Sequence, residues 1–299
     1  MTTMAAKLYG VYAVPCTPFD GAGEVDEQVL RRHLRFLLHQ GRVHGIVPAG
    51  STGEFAFLSE VERQRVVDIT IEEVNGKVPV FVGAAACSTR DTIHYAQRAQ
   101  AGGAQGLMVV PPYYGHLDEE ELYRHYATVA ECINIPIIVY NNPGASGSDV
   151  VPSLLARLAE TGRVIAVKES SGQMQRVAEI MRLCGDKMQV ICGCDTLPLE
   201  MFAMGVQAWF AAPANIVPRQ CVELFELAVE RHNYAHAKDL YFKLLPLFDM
   251  MESTGQYVQL AKAGLDILGM SVGLPRPPLR PASADKQARL KEILVNILA

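Results

Sequence analysis

The chain has 299 residues, of which 49% are hydrophobic and 20% are charged, with a net charge of −5 and a pI near 5.9. This length and composition are typical of one large globular domain, with or without a smaller appendage. The sequence has no long basic patch and no apolar run near the roughly 18 residues of a membrane span, which argues against nucleic-acid and membrane partners.

Two further features indicate the compartment. The stretch Met1–Lys7 has no apolar core of the kind found in signal peptides. The seven cysteines are an odd number and are scattered along the chain. We interpret them as reduced, buried thiols and expect a cytoplasmic protein.

Short apolar runs alternate with longer amphipathic runs along the chain. Eight of the short runs predict buried parallel strands: Val11–Pro15, Gly45–Ala49, Val78–Ala84, Gly106–Pro111, Pro136–Asn141, Val164–Lys168, Gln189–Gly193 and Ala208–Ala212. Two capping boxes mark helix starts between them, Ser59 with Glu62 and Asp118 with Glu121.

Eight strand–helix units of similar length predict a (β/α)8 TIM barrel, an α/β fold. A doubly wound open sheet is the main alternative, but no G-x-G-x-x-G follows the first strand. Because one helix suffices to close a barrel, we predict a catalytic barrel domain at 1–232 and a C-terminal helical region at 233–299. Helices are expected there and just before at Arg219–Arg231, His236–Met251, Tyr257–Leu268 and Ala284–Leu298.

Reactive side chains are expected at the C-terminal ends of the strands, where such barrels place their active sites. Lys168 ends the buried run Val164–Val167, and burial disfavours its charged form. A neutral lysine amine can condense with a carbonyl to form a Schiff base. Tyr140 also leaves a buried strand, and its phenol can relay protons. The alternatives are a lysine paired with Glu169 and a tyrosine that only fills the core.

The turn after the second strand has the chemistry of a small anion site. Its two glycines, Gly50 and Gly53, allow close approach of a ligand to the backbone, and Ser51 and Thr52 add hydroxyls. A plain turn with a helix cap is the alternative. A carboxylate cradle, a phenol and a lysine together are what a 2-oxo acid requires, so the sequence predicts Schiff-base chemistry on such an acid.

At these motifs the chain resembles the dihydrodipicolinate synthase / N-acetylneuraminate lyase family, from about Gly10 to the C-terminus. The resemblance rests on Thr17–Pro18–Phe19, Gly50–Ser51–Thr52–Gly53–Glu54, Pro112–Tyr113–Tyr114, Tyr140–Asn141–Asn142–Pro143 and Val167–Lys168–Glu169–Ser170. It implies a class I, pyruvate-handling barrel that needs no metal and no organic cofactor.

The resemblance also implies residue roles. Lys168 would form the imine, and Tyr140 would be the acid and base. Ser51 and Thr52 would hold the carboxylate, and Ser51 and Tyr114 would complete a proton relay with Tyr140. The family implies a homotetramer built from tight dimers, with Tyr114 reaching across the dimer interface. We also assign four strand-end residues to the substrate site: Gly50, Gly193, Asp195 and Ala211.

The loop after the fifth strand departs from the synthase pattern. Synthases carry an arginine two residues after the proline position, to hold the second substrate's carboxylate, and this chain has Ala145. Asp195 is followed by Thr196 rather than by the acidic residue of sialic acid lyases, and a helix cap is an alternative role for Asp195. A pyruvate-releasing lyase or aldolase is therefore the first hypothesis.

Three other functions stay open. One is a dihydrodipicolinate synthase in which another basic residue replaces the arginine. Another is a dehydratase acting on a 2-oxo-3-deoxy sugar acid. The last is a non-catalytic 2-oxo-acid sensor, against which the intact lysine, tyrosine and hydroxyl cradle argue. The small-molecule partners expected are a 2-oxo acid, pyruvate or an analogue, and an aldehyde.

Overall fold

The computed structural model describes residues 7–299, so most of the stretch Met1–Lys7 lies outside the described residues. Eight strands form one sheet in the order β2-β1-β8-β7-β6-β5-β4-β3, and the pairs are parallel. The fold is a (β/α)8 barrel with additional C-terminal helices, which confirms the predicted class. The strands are β1 Gly10–Ala13, β2 Gly45–Ile46, β3 Phe81–Gly83, β4 Gly106–Val109, β5 Ile137–Asn141, β6 Val164–Glu169, β7 Gln189–Cys192 and β8 Ala208–Ala211.

Helices separate the strands and continue after the last one. They are α1 Glu27–Arg35, α2 Glu60–Val74, α3 Thr89–Ala101, α4 Glu119–Glu131, α5 Pro143–Ser146, α6 Pro152–Ala159, α7 Met174–Cys184, α8 Pro198–Ala203, α9 Pro218–Phe225, α10 Tyr234–Thr254, α11 Tyr257–Ile267 and α12 Ala284–Leu298. Short 3-10 turns lie at Phe55–Phe57, Gly185–Lys187 and Pro213–Asn215, and π-helical turns at Phe36–Gly41 and Glu226–Glu230 extend α1 and α9. Both predicted capping boxes are present, at the starts of α2 and α4.

All eight predicted strands form, with shifted boundaries. The second strand is shorter than predicted because Ala49 has a φ of 55°, in the left-handed region, where the chain has left the extended conformation. The helix predicted from Arg219 begins at Pro218, because proline is well suited to the first helical position.

The described residues form two compact units. The first comprises residues 7–9 with Val80–Trp209, and the second comprises Gly10–Pro79 with Phe210–Ala299. In the first unit the strands β4 and β5 are entirely buried, as expected of parallel strands covered by helices. In the second unit α10, α11 and α12 contact one another. The predicted domain boundary at residue 232 stays a prediction.

Exposure corrects one sequence-based expectation. All seven cysteines are free, but Cys87 and Cys132 are exposed rather than buried. Cys87 lies in the loop before α3 and Cys132 is the C-cap of α4, and neither surface position follows from apolar patterning. Within residues 7–299, none of the helices combines the length and the apolar character that crossing a membrane requires.

Candidate active site

In the first unit, Lys168 and Tyr140 are cross-strand neighbours. Tyr140 on β5 pairs with Lys168 on β6, so both side chains point to the same face of the sheet. Both residues are only 7% exposed. The lysine Nζ lies 3.8 Å from the centroid of the tyrosine ring, on its face. The structure therefore brings together the predicted nucleophile and the predicted proton donor.

The next residue on each strand locks this register from the opposite face. The Asn141 side chain donates from Nδ2 to Oε2 of Glu169 at 3.0 Å, and its Oδ1 accepts from the backbone N–H of Val150 at 2.9 Å. The other carboxylate oxygen of Glu169 accepts from the N–H of Ser171 at 2.6 Å. Glu169 thus bonds to Asn141 and Ser171, whereas the alternative role of Lys168, a structural ion pair, required a bond between Glu169 and Lys168.

A charged pair extends this network towards α7. Arg176 donates to both carboxylate oxygens of Asp149, at 2.6 and 2.5 Å, and Asp149 also accepts from Asn141 at 3.3 Å. The guanidinium holds the pKa of the Asp149 carboxyl below its usual value. Two-point pairing of this kind fixes the relative geometry of Arg176 and Asp149 as well as pairing their charges.

The loop after β5 folds back on the phenol. Asn142 is the N-cap of α5, with its Oδ1 accepting from the N–H of Ala145 at 3.2 Å. Its Nδ2 donates to Oη of Tyr140 at 3.0 Å. The Asn-Pro pair after a strand is a recognisable helix-start signal, but nothing local in the sequence predicts the contact with the phenol.

The end of β7 passes close to the lysine stem. The N–H of Gly193 donates to the carbonyl of Glu169 at 3.0 Å. A Cβ at Gly193 would lie 2.7 Å from Cγ of Lys168 and would overlap Oγ of Ser170. The glycine is therefore required by the packing of β7 against Lys168, whatever contact it makes with substrate.

Two other predicted residues of the first unit have clear environments. Asp195 is buried and accepts a hydrogen bond at 2.9 Å from the indole N–H of Trp209, which ties the loop after β7 to β8. Tyr114 lies in the loop between β4 and α4 and is 87% exposed within the chain. The proton-relay role of Tyr114 stays a prediction.

The predicted carboxylate cradle lies in the second unit, after β2. The turn closes through a bond from the N–H of Glu54 to the carbonyl of Ser51 at 3.0 Å. Thr17 Oγ1 donates to the carbonyl of Gly53 at 2.6 Å, where a Cβ would lie only 3.1 Å from the carbonyl of Pro15. The turn is therefore held in place by the segment that follows β1, which includes Pro15 and Thr17.

The predicted residues of this unit differ in exposure. Thr52 and Gly50 are buried, Ser51 is exposed, and Ala211 is fully buried in β8. Ser51 can thus meet a ligand without rearrangement. Ala211 has no side-chain polar group, so its side chain can make only packing contacts.

A buried ion pair that sequence patterns do not predict fixes the end of the cradle. Nζ of Lys262 on α11 lies 2.7 Å from Oε1 of Glu54, and both side chains are inaccessible to solvent, at 2% and 0%. Lys262 also donates to the carbonyl of Leu274 at 2.9 Å, and the N–H of Arg276 donates to Glu54 Oε2 at 2.8 Å. Burial lowers the pKa of Lys262, against the effect of Glu54.

A (β/α)8 barrel with a buried lysine on the ring face of a tyrosine, on adjacent strands, has the features of the carbon–carbon lyases of the class I aldolase type, and the protein is such an enzyme. The sequence model of the dihydrodipicolinate synthetase family matches residues 7–297. The chain belongs to this family.

Similar sequences and structures agree with this membership. A 4-hydroxy-tetrahydrodipicolinate synthase of Methanospirillum hungatei is 37% identical over 288 residues, which cover 95% of this chain and 98% of that protein. A putative dihydrodipicolinate synthetase from Pseudomonas aeruginosa superposes with a TM-score of 0.94 at 35% identity, covering 97% and 100% of the two chains. The dihydrodipicolinate synthase from Acinetobacter baumannii, solved in complex with pyruvate, has a TM-score of 0.91 at 29% identity, covering 97% and 99%.

Proposed function

We propose that the protein cleaves or condenses a 2-oxo acid through a Schiff base, with pyruvate as the product or the donor. The amine of Lys168 adds to the ketone carbon, and loss of water gives an imine. The protonated imine takes up the electron pair of the carbon–carbon bond that breaks, which leaves an enamine. The hydroxyl on the departing carbon gives its proton to the phenolate form of Tyr140, and that fragment leaves as an aldehyde. Proton uptake by the enamine and hydrolysis of the imine then release pyruvate. In the condensing direction the enamine attacks an aldehyde.

The observation that carries this proposal is the buried contact of Lys168 with Tyr140. An amine in this position is shielded from bulk water, and the adjacent phenol can deliver and accept the protons that imine formation requires. Supporting it, the related Acinetobacter baumannii enzyme was solved with pyruvate bound.

The turn Gly50–Glu54 supplies the chemistry for the acid's carboxylate. We assign that group to the hydroxyls of Ser51 and Thr52 and to the backbone N–H groups of the turn. Gly193, Asp195 and Ala211 remain proposed substrate contacts, and Tyr114 the proposed third member of the relay. The exposure of Tyr114 in one chain fits a residue that completes a neighbouring subunit's site.

Hydride trapping tests the Schiff base directly. Borohydride reduction in the presence of pyruvate should fix a stable adduct, and peptide mass analysis should place it on Lys168. Lys262 is an internal control, since it is also buried but forms an ion pair with Glu54. Absence of an adduct on Lys168, or equal labelling of the two lysines, would refute the proposal. Tyr140→Phe should slow imine formation severely while leaving the fold intact.

The residue at 145 bears on the second reactant. Ala145 is exposed at the first turn of α5, at the position where synthases carry a carboxylate-binding arginine. A methyl group cannot make a two-point contact with a carboxylate. We therefore rank pyruvate release from a 2-oxo acid above the synthase reaction.

The synthase reaction is the second candidate, since the relatives at 36 to 38% identity carry that name. A panel of 2-oxo acids assayed for pyruvate release, beside a panel of aldehydes assayed for pyruvate consumption, separates the two. Efficient condensation with a carboxylate-bearing aldehyde by the unmodified enzyme would reverse the ranking. Ala145→Arg should raise that condensation and leave hydride trapping of pyruvate unchanged.

Assembly and location complete the proposal. We propose a homotetramer of tight dimers that works in the cytoplasm. Seven free cysteines, two of them exposed, fit a reducing compartment. Sedimentation equilibrium measures the oligomer, and a stable monomer with full activity would contradict the assembly.

A further inference from the structure

The orientation of the Asn142 side chain is fixed by its two hydrogen bonds. One end lies 3.2 Å from the backbone nitrogen of Ala145, which can only donate, so that end is the carbonyl oxygen Oδ1. The other end is therefore the amide –NH2, and it lies 3.0 Å from the phenol oxygen of Tyr140. The two possible assignments of the amide are distinguished by the helix cap itself.

This orientation determines what the phenol can do. An amide –NH2 has no acceptor capacity, so Tyr140 must accept the bond from Asn142 with a lone pair. The phenol's own O–H then has to point to another acceptor. When the phenol gives up its proton, the same bond becomes charge-assisted and stronger.

The packing around Tyr140 leaves it to Asn142 to set the direction of the phenol O–H bond. The register of β5 with β6 fixes the position of the Tyr140 ring, and Lys168 lies on the face of that ring rather than against its hydroxyl. Neither contact sets the rotation of the O–H bond, whereas the bond from Asn142 does.

We propose that Asn142 is a positioning residue that acts through Tyr140, by directing the phenol proton towards the reacting atoms and stabilising the phenolate once the proton has gone. The same side chain caps α5, so the helix that carries Ala145 and the catalytic proton donor are held by one amide. This inference rests on the proposed Schiff-base function.

Three variants separate the contact with the phenol from the helix cap. Asn142→Ser and Asn142→Asp keep an oxygen that can cap α5 but lose the amide donor. Asn142→Ala loses both. We expect the rate of trapped imine formation with pyruvate to fall about tenfold for Asn142→Ser, the usual effect of one lost hydrogen bond. The rate of imine formation should fall further for Asn142→Asp, because its carboxylate repels a forming phenolate. The KM for pyruvate should change less than about twofold, and the melting temperature should drop only for Asn142→Ala.

The combination with Tyr140→Phe shows whether Asn142 acts through the phenol. The double variant Tyr140→Phe with Asn142→Ser should form the imine as slowly as Tyr140→Phe alone. A wild-type rate for Asn142→Ser, or the same tenfold loss on the Tyr140→Phe background, would overturn the inference. If the wild-type enzyme gives no trapped adduct on Lys168, the proposed function itself has failed, which is a different outcome from a normal adduct with insensitive Asn142 variants.

Discussion

Replacing Lys262 with methionine should destabilise the fold strongly, because it leaves the carboxylate of Glu54 buried without its counter-charge. Methionine has a similar length and no charge, so packing changes little. The Nζ–Oε1 distance is 2.7 Å, and at an effective dielectric constant of about 20 the attraction is roughly 6 kcal/mol before desolvation. Measured losses on breaking buried pairs are about 3–5 kcal/mol, and we expect Lys262→Met to lie in that range.

A double-mutant cycle isolates the pair. Glu54→Gln alone should cost about 2–4 kcal/mol, because it leaves Lys262 with the Leu274 carbonyl and the face of the Phe19 ring. The double variant buries no charge and should lose less than about 2 kcal/mol. The coupling free energy should therefore exceed about 3 kcal/mol, measured by urea unfolding at fixed protein concentration.

An exposed ion pair of similar length provides the control. Lys187 and Glu160 are 2.6 Å apart, but their side chains are 61% and 66% accessible. Lys187→Met should change the free energy of unfolding by less than about 1 kcal/mol. If Lys262→Met cost no more than Lys187→Met, or if the two single losses simply added in the double variant, burial would not be the source of the effect and the reasoning would be wrong.

Two further predictions concern stability. Gly273→Ala should lower the free energy of unfolding by about 3 kcal/mol or more, because the φ of Gly273 is 77° and a Cβ would overlap the Phe19 carbonyl. Gly269→Ala, with a φ of 73° but open space around it, should lower that free energy by about 1–2 kcal/mol, and thermal unfolding of both variants measures the difference. Burial lowers the pKa of His33 from 6.5 to about 4, so the unfolded chain binds the extra proton in that window and stability falls as pH drops from 6.5 towards 4. The His33 share of this loss, about 3 kcal/mol, should disappear in His33→Gln while the share of His125 stays, and an unchanged pH slope would contradict it.

The strands and the positions of Tyr140 and Lys168 at strand ends were predictable because their signals are local. A buried apolar run that ends in lysine or tyrosine predicts a strand and a candidate reactive residue at its end, and the structure pairs Tyr140 with Lys168 directly. The boundaries were less predictable, because backbone conformation ends β2 early, at Ile46. Apolar neighbours likewise do not show which side of a helix end Cys132 faces.

The supporting contacts were not predictable because they join distant segments. Glu54 reads as the end of a turn and Lys262 as one charge on a helix, and only folding brings the two to ion-pair distance. Asn142 caps α5, and its second hydrogen bond goes back to Tyr140 and depends on the turn between them. Sequence patterns thus point to candidate reactive groups more easily than they point to the side chains that position those groups.

In the proposed function, the first unit separates the Schiff-base pair from the residue that we propose selects the second reactant. Tyr140 and Lys168 lie on strands whose register is locked by Asn141 and Glu169, so their geometry tolerates little change. Ala145 instead lies exposed on the short helix α5, which takes no part in the hydrogen bond between Asn141 and Glu169. On that proposal, we expect a change at 145 to alter the second reactant without moving the lysine, as long as the Asn142 cap persists.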